Sequence, residues 1–397
     1  MEKIMTDNFS DVVEQWRKNS PRVNGLADKF LSIATGNSGV PYRTPLDDNN
    51  TAELFQGDAA VLSFYEECRQ RFGTFGHHFI SSIPYALQEW ARLGSALTMY
   101  LYNISETECR PSYFHSVGSA EGVIARTIAE LGQGSIYTLT NSSTPQNREE
   151  FFKSGAPETA FFFSGPYFDI HPAMLKAGAE LTKYSRDIDV VGNQTDILNR
   201  KELEPFKEGF DVVFEDTCFQ MHAPNRAEQV AWVCQNLGEN GLFIAWEKCS
   251  LDDMEEYQRR EDMKDAEFKA RYFSNNQVAE KKAGILTRME TGQVPLEQLV
   301  EGISKTLKHV AVTWNSGNFY IVVASNDPQK VKDFCSYLLP PCIPSQFQHM
   351  QLPQTLHGPD LNLAFRQPDK NTASPQRSNT GLPQAGDRVA PPDNPAP

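Results

Sequence analysis

Between residues 112 and 248 short apolar runs alternate with amphipathic stretches, and this alternation restricts the fold more than any other feature of the chain. "SYFHSV" reads as a strand and "EGVIARTIAEL" as its helix. "PYFD" precedes "PAMLKAGAEL", "DIDVVG" precedes "NRKELEPF", and "FDVVFED" leads into "PNRAEQVAWVCQNL". "GLFIAWEK" ends the run. Short apolar strands that each feed a helix call for a mostly parallel sheet covered on both faces. Ligands bind such sheets at the carboxyl ends of the strands. "HVAVTWNSGNFYIVVAS" then gives two alternating strands joined by "NSGN", a hairpin signal, so the predicted sheet closes on an antiparallel pair.

The flanks read differently. Residues 1–75 are polar with short amphipathic pieces and are expected to form an extension or lid, while "IPYALQEWARLGSALTMYLYN" has helical spacing for one or two helices. After Lys248 comes a long helical stretch, then a helix with Ser274 as its N-cap, then "PLEQLVEGISKTL". The core domain is expected over 76–327 and a C-terminal extension over 328–397. That extension is rich in Pro, Gln, Asn and Ser from about 345 and is expected to be disordered there.

Composition excludes some function classes. A length of 397 residues allows one large α/β domain with additions, and no apolar run approaches membrane-spanning length. The charged N-terminus lacks an apolar signal core, and seven scattered cysteines show neither zinc spacing nor a disulfide framework. A reducing cytoplasm is the expected compartment, with no metal. A net charge of −14 argues against an extended nucleic-acid surface but allows a local basic pocket.

Chemistry is expected at the first strand-to-helix turn. Gly118, Ala120 and Gly122 let the backbone turn sharply and approach a ligand, and the next helix offers free N–H groups. "YFDIHPAM" places Asp169 before Pro172, which is pre-set for a first helical turn. A carboxylate there can accept from both hydroxyls of a ribose; a surface turn is the simpler reading.

With "VGSAEG", "DIHPAM", "FKARYFSNNQVAEKKAGIL" and "VTWNSGNFY" in this order, the chain resembles the class I S-adenosylmethionine-dependent methyltransferases over about 80–326, most closely the carboxy-S-adenosylmethionine synthases. The resemblance implies a Rossmann-like methyltransferase fold: a mostly parallel seven-stranded sheet, a C-terminal antiparallel hairpin and helices on both faces. It implies S-adenosyl-L-methionine as cofactor, with Ser116, Gly118, Ala120, Glu121, Gly122, Asp169, Ile170, Asn193, Glu215 and Asp216 around it. Gln220, His222, Lys269, Arg271 and Tyr272 fall to the substrate, a small molecule or nucleoside that takes a methyl or carboxymethyl group. A homodimer is compatible with it.

The chain departs from the family at Ser116, where an Asp is usual, and Glu121 is the candidate substitute. Placing Asp169 on the ribose makes about 135–165 an insertion. The competing alignment takes "SIYTLT" as the second strand and puts Asn141 in that position; Asp169 is preferred because an ionised carboxylate accepts from two hydroxyls together. Lys269 and Arg271 could bind an anionic substrate or a carboxylated cofactor, or form a solvated pair at a helix end. Methyl transfer needs positioning more than acid–base chemistry, so no catalytic residue is assigned. A fold that has lost its cofactor contacts is the alternative. A dinucleotide oxidoreductase fits less well, because its sheet would continue with parallel strands.

Overall fold

The computed structural model describes residues 11–19, 43–48, 57–153, 155–170, 205–286 and 289–368. Among these, eight strands form one sheet: β1 (Ser112–Val117), β2 (Ile136–Ser142), β3 (Ala160–Ser164), β4 (Phe210–Asp216), β5 (Leu237–Lys248), β6 (His309–Ser316), β7 (Phe319–Ser325) and β8 (Gln354–His357). Their order is β3-β2-β1-β4-β5-β7-β6-β8. The first five are parallel, and β5 to β8 pair antiparallel. Apart from the added edge strand β8, this is the Rossmann-like methyltransferase order, with the strand order reversing between β1 and β4 as expected of a doubly wound sheet.

Both faces of the sheet are buried because successive side chains point to opposite sides. Phe114, Phe214, Ile244 and Trp246 enter one apolar cluster with the helix Ala86–Glu108; Val117, Val213, Phe243 and Ala245 enter the other with the helix Arg226–Val233. The pairing of β6 with β7 shifts register between Val312 and Trp314, which turns Trp314 onto the first face, 5.0 Å from Trp246. No described helix is long and apolar enough to cross a membrane.

Four expectations change. "PYFD" is not a strand: Pro166 starts a tight turn over Tyr167–Asp169, closed by the Asp169 N–H donating to the Pro166 carbonyl at 3.1 Å. The stretch 135–165 is no insertion, since it supplies β2, the helix Pro145–Lys153 and β3, the outer strands of the parallel half. The tail from 345 is ordered at least to 368: Phe347 is fully buried and β8 pairs along β6, making the sheet eight-stranded. The extension over 1–75 contributes to the core, with Trp16 fully buried and donating to Asn225 Oδ1 at 3.1 Å, and Phe64 and Tyr65 packed in the first cluster. "DIDVVG", its helix and Asn193 lie outside the described residues.

The helical stretch after Lys248 is also broken. A helix covers Met254–Met263, a π turn Lys264–Phe268 and a 3-10 turn Lys269–Arg271. In an α-helix residues five apart are offset by about 140° around the axis. The π turn, in which the Lys269 N–H reaches the Lys264 carbonyl, removes most of that offset. Lys264 and Lys269 therefore face the same side.

Candidate functional site

The turn after β1 builds the floor of the site. Gly118, Ala120 and Gly122 all have positive φ, at 73°, 47° and 65°. A side chain at Gly118 would put its Cβ 2.5 Å from the Cβ of Cys218. The turn is held by the Gly122 N–H donating to the Ser119 carbonyl at 2.7 Å and the Gly118 N–H donating to Asn141 Oδ1 at 3.3 Å. Above it opens a cavity of about 220 Å³ at the carboxyl ends of β1, β2 and β4, where a doubly wound sheet binds its ligand.

One end of this cavity is acidic. Ser116 and Ser119 join hydroxyl to hydroxyl, and Ser119 Oγ donates to Asp216 Oδ2 at 3.2 Å. Burial pushes the Asp216 carboxyl up to about 7, against the Ser119 hydrogen bond that pulls it down. Glu121, also raised by burial, accepts from the Gly73 N–H at 3.0 Å and the Gly76 N–H at 2.7 Å through one oxygen. It thereby caps the helix Thr74–Ile80. A Cβ at Gly76 would lie 2.6 Å from that oxygen, so the helix approaches only because a glycine is there. Among the described residues, the other oxygen of Glu121 and Oδ1 of Asp216 are buried without a hydrogen-bond partner.

The opposite end is basic. Among the described residues, Lys248, Lys264, Lys269 and Lys281 line the cavity, each between 1% and 3% exposed. Glu261 is shared by Lys248, at 2.8 Å, and Lys264; Asp265 pairs with Lys269 at 2.7 Å. Lys281 Nζ donates to Ser82 Oγ and lies 5.1 Å from the centre of the Phe273 ring. Burial, then the neighbouring amines, lowers Lys269 to about 8 and Lys281 well below its ordinary value. Phe75, Phe79, Ile83 and Trp90 add apolar surface to the lining.

The structure brings Gly118, Ala120, Glu121, Asp216, Gln220, His222 and Lys269 together around the cavity. His222 is held neutral near neutral pH, since burial lowers it to about 4. Ser116 supports the floor from below, and Gly122 packs against Thr140, where a Cβ would come 2.7 Å from Oγ1. Other assignments are corrected. Asp169 lies past the end of β3, outside the lining, and forms an ion pair with Arg17. Ile170 is a core residue of the second cluster. Glu215 points to the opposite face of β4 and accepts from the Cys218 and Phe219 N–H groups, because strand alternation sends neighbours Glu215 and Asp216 to opposite sides. Arg271 is exposed, and the Tyr272 hydroxyl donates to Asp48 at 2.7 Å.

Asn141, at the carboxyl end of β2, occupies the position given to Asp169. Its Oδ1 accepts from Gly118 and faces His115 Nε2 at 3.1 Å, while Nδ2 donates to the Gly165 carbonyl at 3.2 Å. Sequence reasoning assigned no role to Lys248, Lys264, Lys281 or His78. The usable signal was "EKK" at 280–282 and the lysine ending "GLFIAWEK", cations beside apolar runs rather than on a polar face.

No family profile and no curated protein sequence matches the chain. Solved structures resemble it distantly. One is the plantazolicin methyltransferase BpumL in complex with SAH, at 9% identity, TM-score 0.38, over 70% of this chain and 98% of that one. Another is the cyclopropane synthase MmaA2 from Mycobacterium tuberculosis, at 14% identity, TM-score 0.35, over 65% and 77%. The assignment of this chain to the Rossmann-like methyltransferase fold rests on its own strand order.

Proposed function

We propose that the chain is an S-adenosylmethionine-dependent methyltransferase whose cofactor lies over the Gly118–Gly122 turn. The observation that carries this reading is the cavity itself: a positive-φ turn leaves the first strand and floors a pocket at the reversal point of the sheet. The donor set fits a cationic, hydroxyl-rich ligand. Asp216 and Glu121 each keep one buried carboxylate oxygen without a partner beside the turn, where an ammonium or sulfonium would compensate the cost of burial. Asn141 retains one amide N–H beyond its bond to Gly165, and Ser142, Ser143 and Asn147 complete that lip.

The cofactor supplies an activated methyl group; the chain's part is orientation and exclusion of water. Phe79, Trp90 and Ile83 give the cavity an apolar wall. The Asp216 carboxyl, which burial raises to about 7, would be held ionised by a bound cation beside it. Titration of the folded protein with S-adenosylhomocysteine tests the reading. Saturable binding that is lost in Gly118→Val supports it, and no saturable binding to folded wild-type protein overturns it.

A further inference from the structure

The cofactor's carboxylate sits on the same carbon as its ammonium, so a cofactor whose ammonium is held beside Asp216 and Glu121 leaves the lysines of the cavity for a second anion. We infer that the basic end is the subsite for an acidic acceptor: a small molecule whose carboxylate or phosphate oxyanion sits against Lys264, Lys269 and Lys281. The inference rests on the methyltransferase reading for the word acceptor, while the anion site stands on the lysines alone.

Burying an amine costs free energy unless an opposite charge compensates. Glu261 serves both Lys248 and Lys264, so that triad keeps a positive charge by itself. Lys281 adds its amine to the same wall from a different helix, Asn275–Lys281, and Asp265 lies beside Lys269. His78, also buried there, is pushed well below its ordinary value by burial and then by Lys281 and Lys269, so it adds a neutral ring and no counter-charge. The lysines come from β5, the π turn, the 3-10 turn and a separate helix, and a second π turn over Lys282–Leu286 follows Lys281 directly. Mutual repulsion lowers Lys264, Lys269 and Lys281 after burial has done so. A bound oxyanion would reverse that shift. Lysine presents a point charge with three rotatable donors, so the cluster matches a compact oxyanion at the end of an otherwise apolar acceptor resting on Phe79 and Trp90.

The experiment uses the full chain, wild type and Lys269→Met, with Lys281→Met as a second variant should the first misfold. Each is titrated at constant ionic strength with inorganic phosphate, malonate and, as control, chloride, and separately with S-adenosylhomocysteine. The expected result is that phosphate or malonate binds the wild type and raises its Tm where chloride does not, and that affinity falls at least about tenfold in the variant, the effect of losing one charge-assisted contact. S-adenosylhomocysteine affinity stays unchanged. A preference between phosphate and malonate separates a phosphorylated acceptor from a carboxylic one. Oxyanions binding no better than chloride, or equally to wild type and variant, overturn the inference. Loss of S-adenosylhomocysteine binding in Lys269→Met also overturns it, because the amines would then hold the cofactor. Oxyanion binding without any S-adenosylhomocysteine binding keeps the anion site and removes the methyltransferase reading.

Discussion

The acidic and the basic ends of the cavity bury charge in opposite ways. At the β1 turn, Asp216 and Glu121 are raised by burial and each keeps an oxygen without a partner. Across the cavity, Glu261 is held well below the carboxylate range by Lys264 and Lys248, despite its own burial, while the amines around it are pushed down. Each end is strained toward losing its charge, and a ligand that is cationic at one end and anionic at the other relieves both. Two partners meeting in this cavity, one cationic at the sulfonium and one acidic, would supply that pattern. The comparison teaches that the electrostatics of this site are written by burial, not by the net charge of the chain.

The largest effect expected concerns the pH dependence of folding. Asp216 has a folded pKa near 7 against an ordinary 3.8, so the native state binds more protons than the unfolded state between those values. Its contribution is therefore unfavourable above pH 7, by roughly 4 kcal/mol, and stability falls as pH rises from about 4 to 7. Lys269, lowered to about 8 from 10.5, acts with the opposite slope in a separate window: the unfolded state binds more protons there, and stability rises between pH 8 and 10.5, by roughly 3 kcal/mol. Urea denaturation across pH checks both. Asp216→Asn should lessen the acid slope alone and Lys269→Met the alkaline slope alone, the other buried carboxyls and amines keeping their shares; a common effect of either variant on both windows would break the comparison.

Next in size is Glu121→Leu, which strands the buried Gly73 and Gly76 N–H groups. It should cost at least about 2 kcal/mol, at one or more for each of the two unsatisfied donors, read as a lowered midpoint in urea. Smallest is Asp169→Ala, which removes a partly exposed ion pair with Arg17 and should change stability by less than about 1 kcal/mol and cofactor affinity not at all. A large loss of binding would restore Asp169 to the site.

Most of the parallel sheet was legible, because β1, β4 and the second half of β5 each hold a cluster of apolar residues, and the turns after β1 and β4 contain Gly or Pro-Asn. The glycine turn was legible for the same reason: three small residues follow a strand and open a helix. The second strand was misplaced because "PYFD" carries a carboxylate and "IYTLTNS" ends in an uncharged Asn141, so chemistry outweighed order. With β2 assigned to 136–142 the spacing from Gly118 becomes normal and the need for an insertion disappears. The tail was misread because only a few apolar residues, such as Phe347 and Leu361, fix it, while β8 is held by backbone hydrogen bonds that composition does not report. The lysine wall was hidden for a different reason. Two of its members, Lys264 and Lys269, share a side only through a π turn, and a helical wheel drawn at 3.6 residues per turn places them apart.

The most direct test of the account is calorimetric titration of S-adenosylhomocysteine into four folded proteins: wild type, Gly118→Val, Asp169→Ala and Lys269→Met. The account predicts one saturable site in wild type, retained in Asp169→Ala and Lys269→Met and abolished in Gly118→Val, whose side chain would meet Cys218 and whose φ of 73° a β-branched residue resists. Unchanged binding to Gly118→Val, or no binding to wild type, would contradict it.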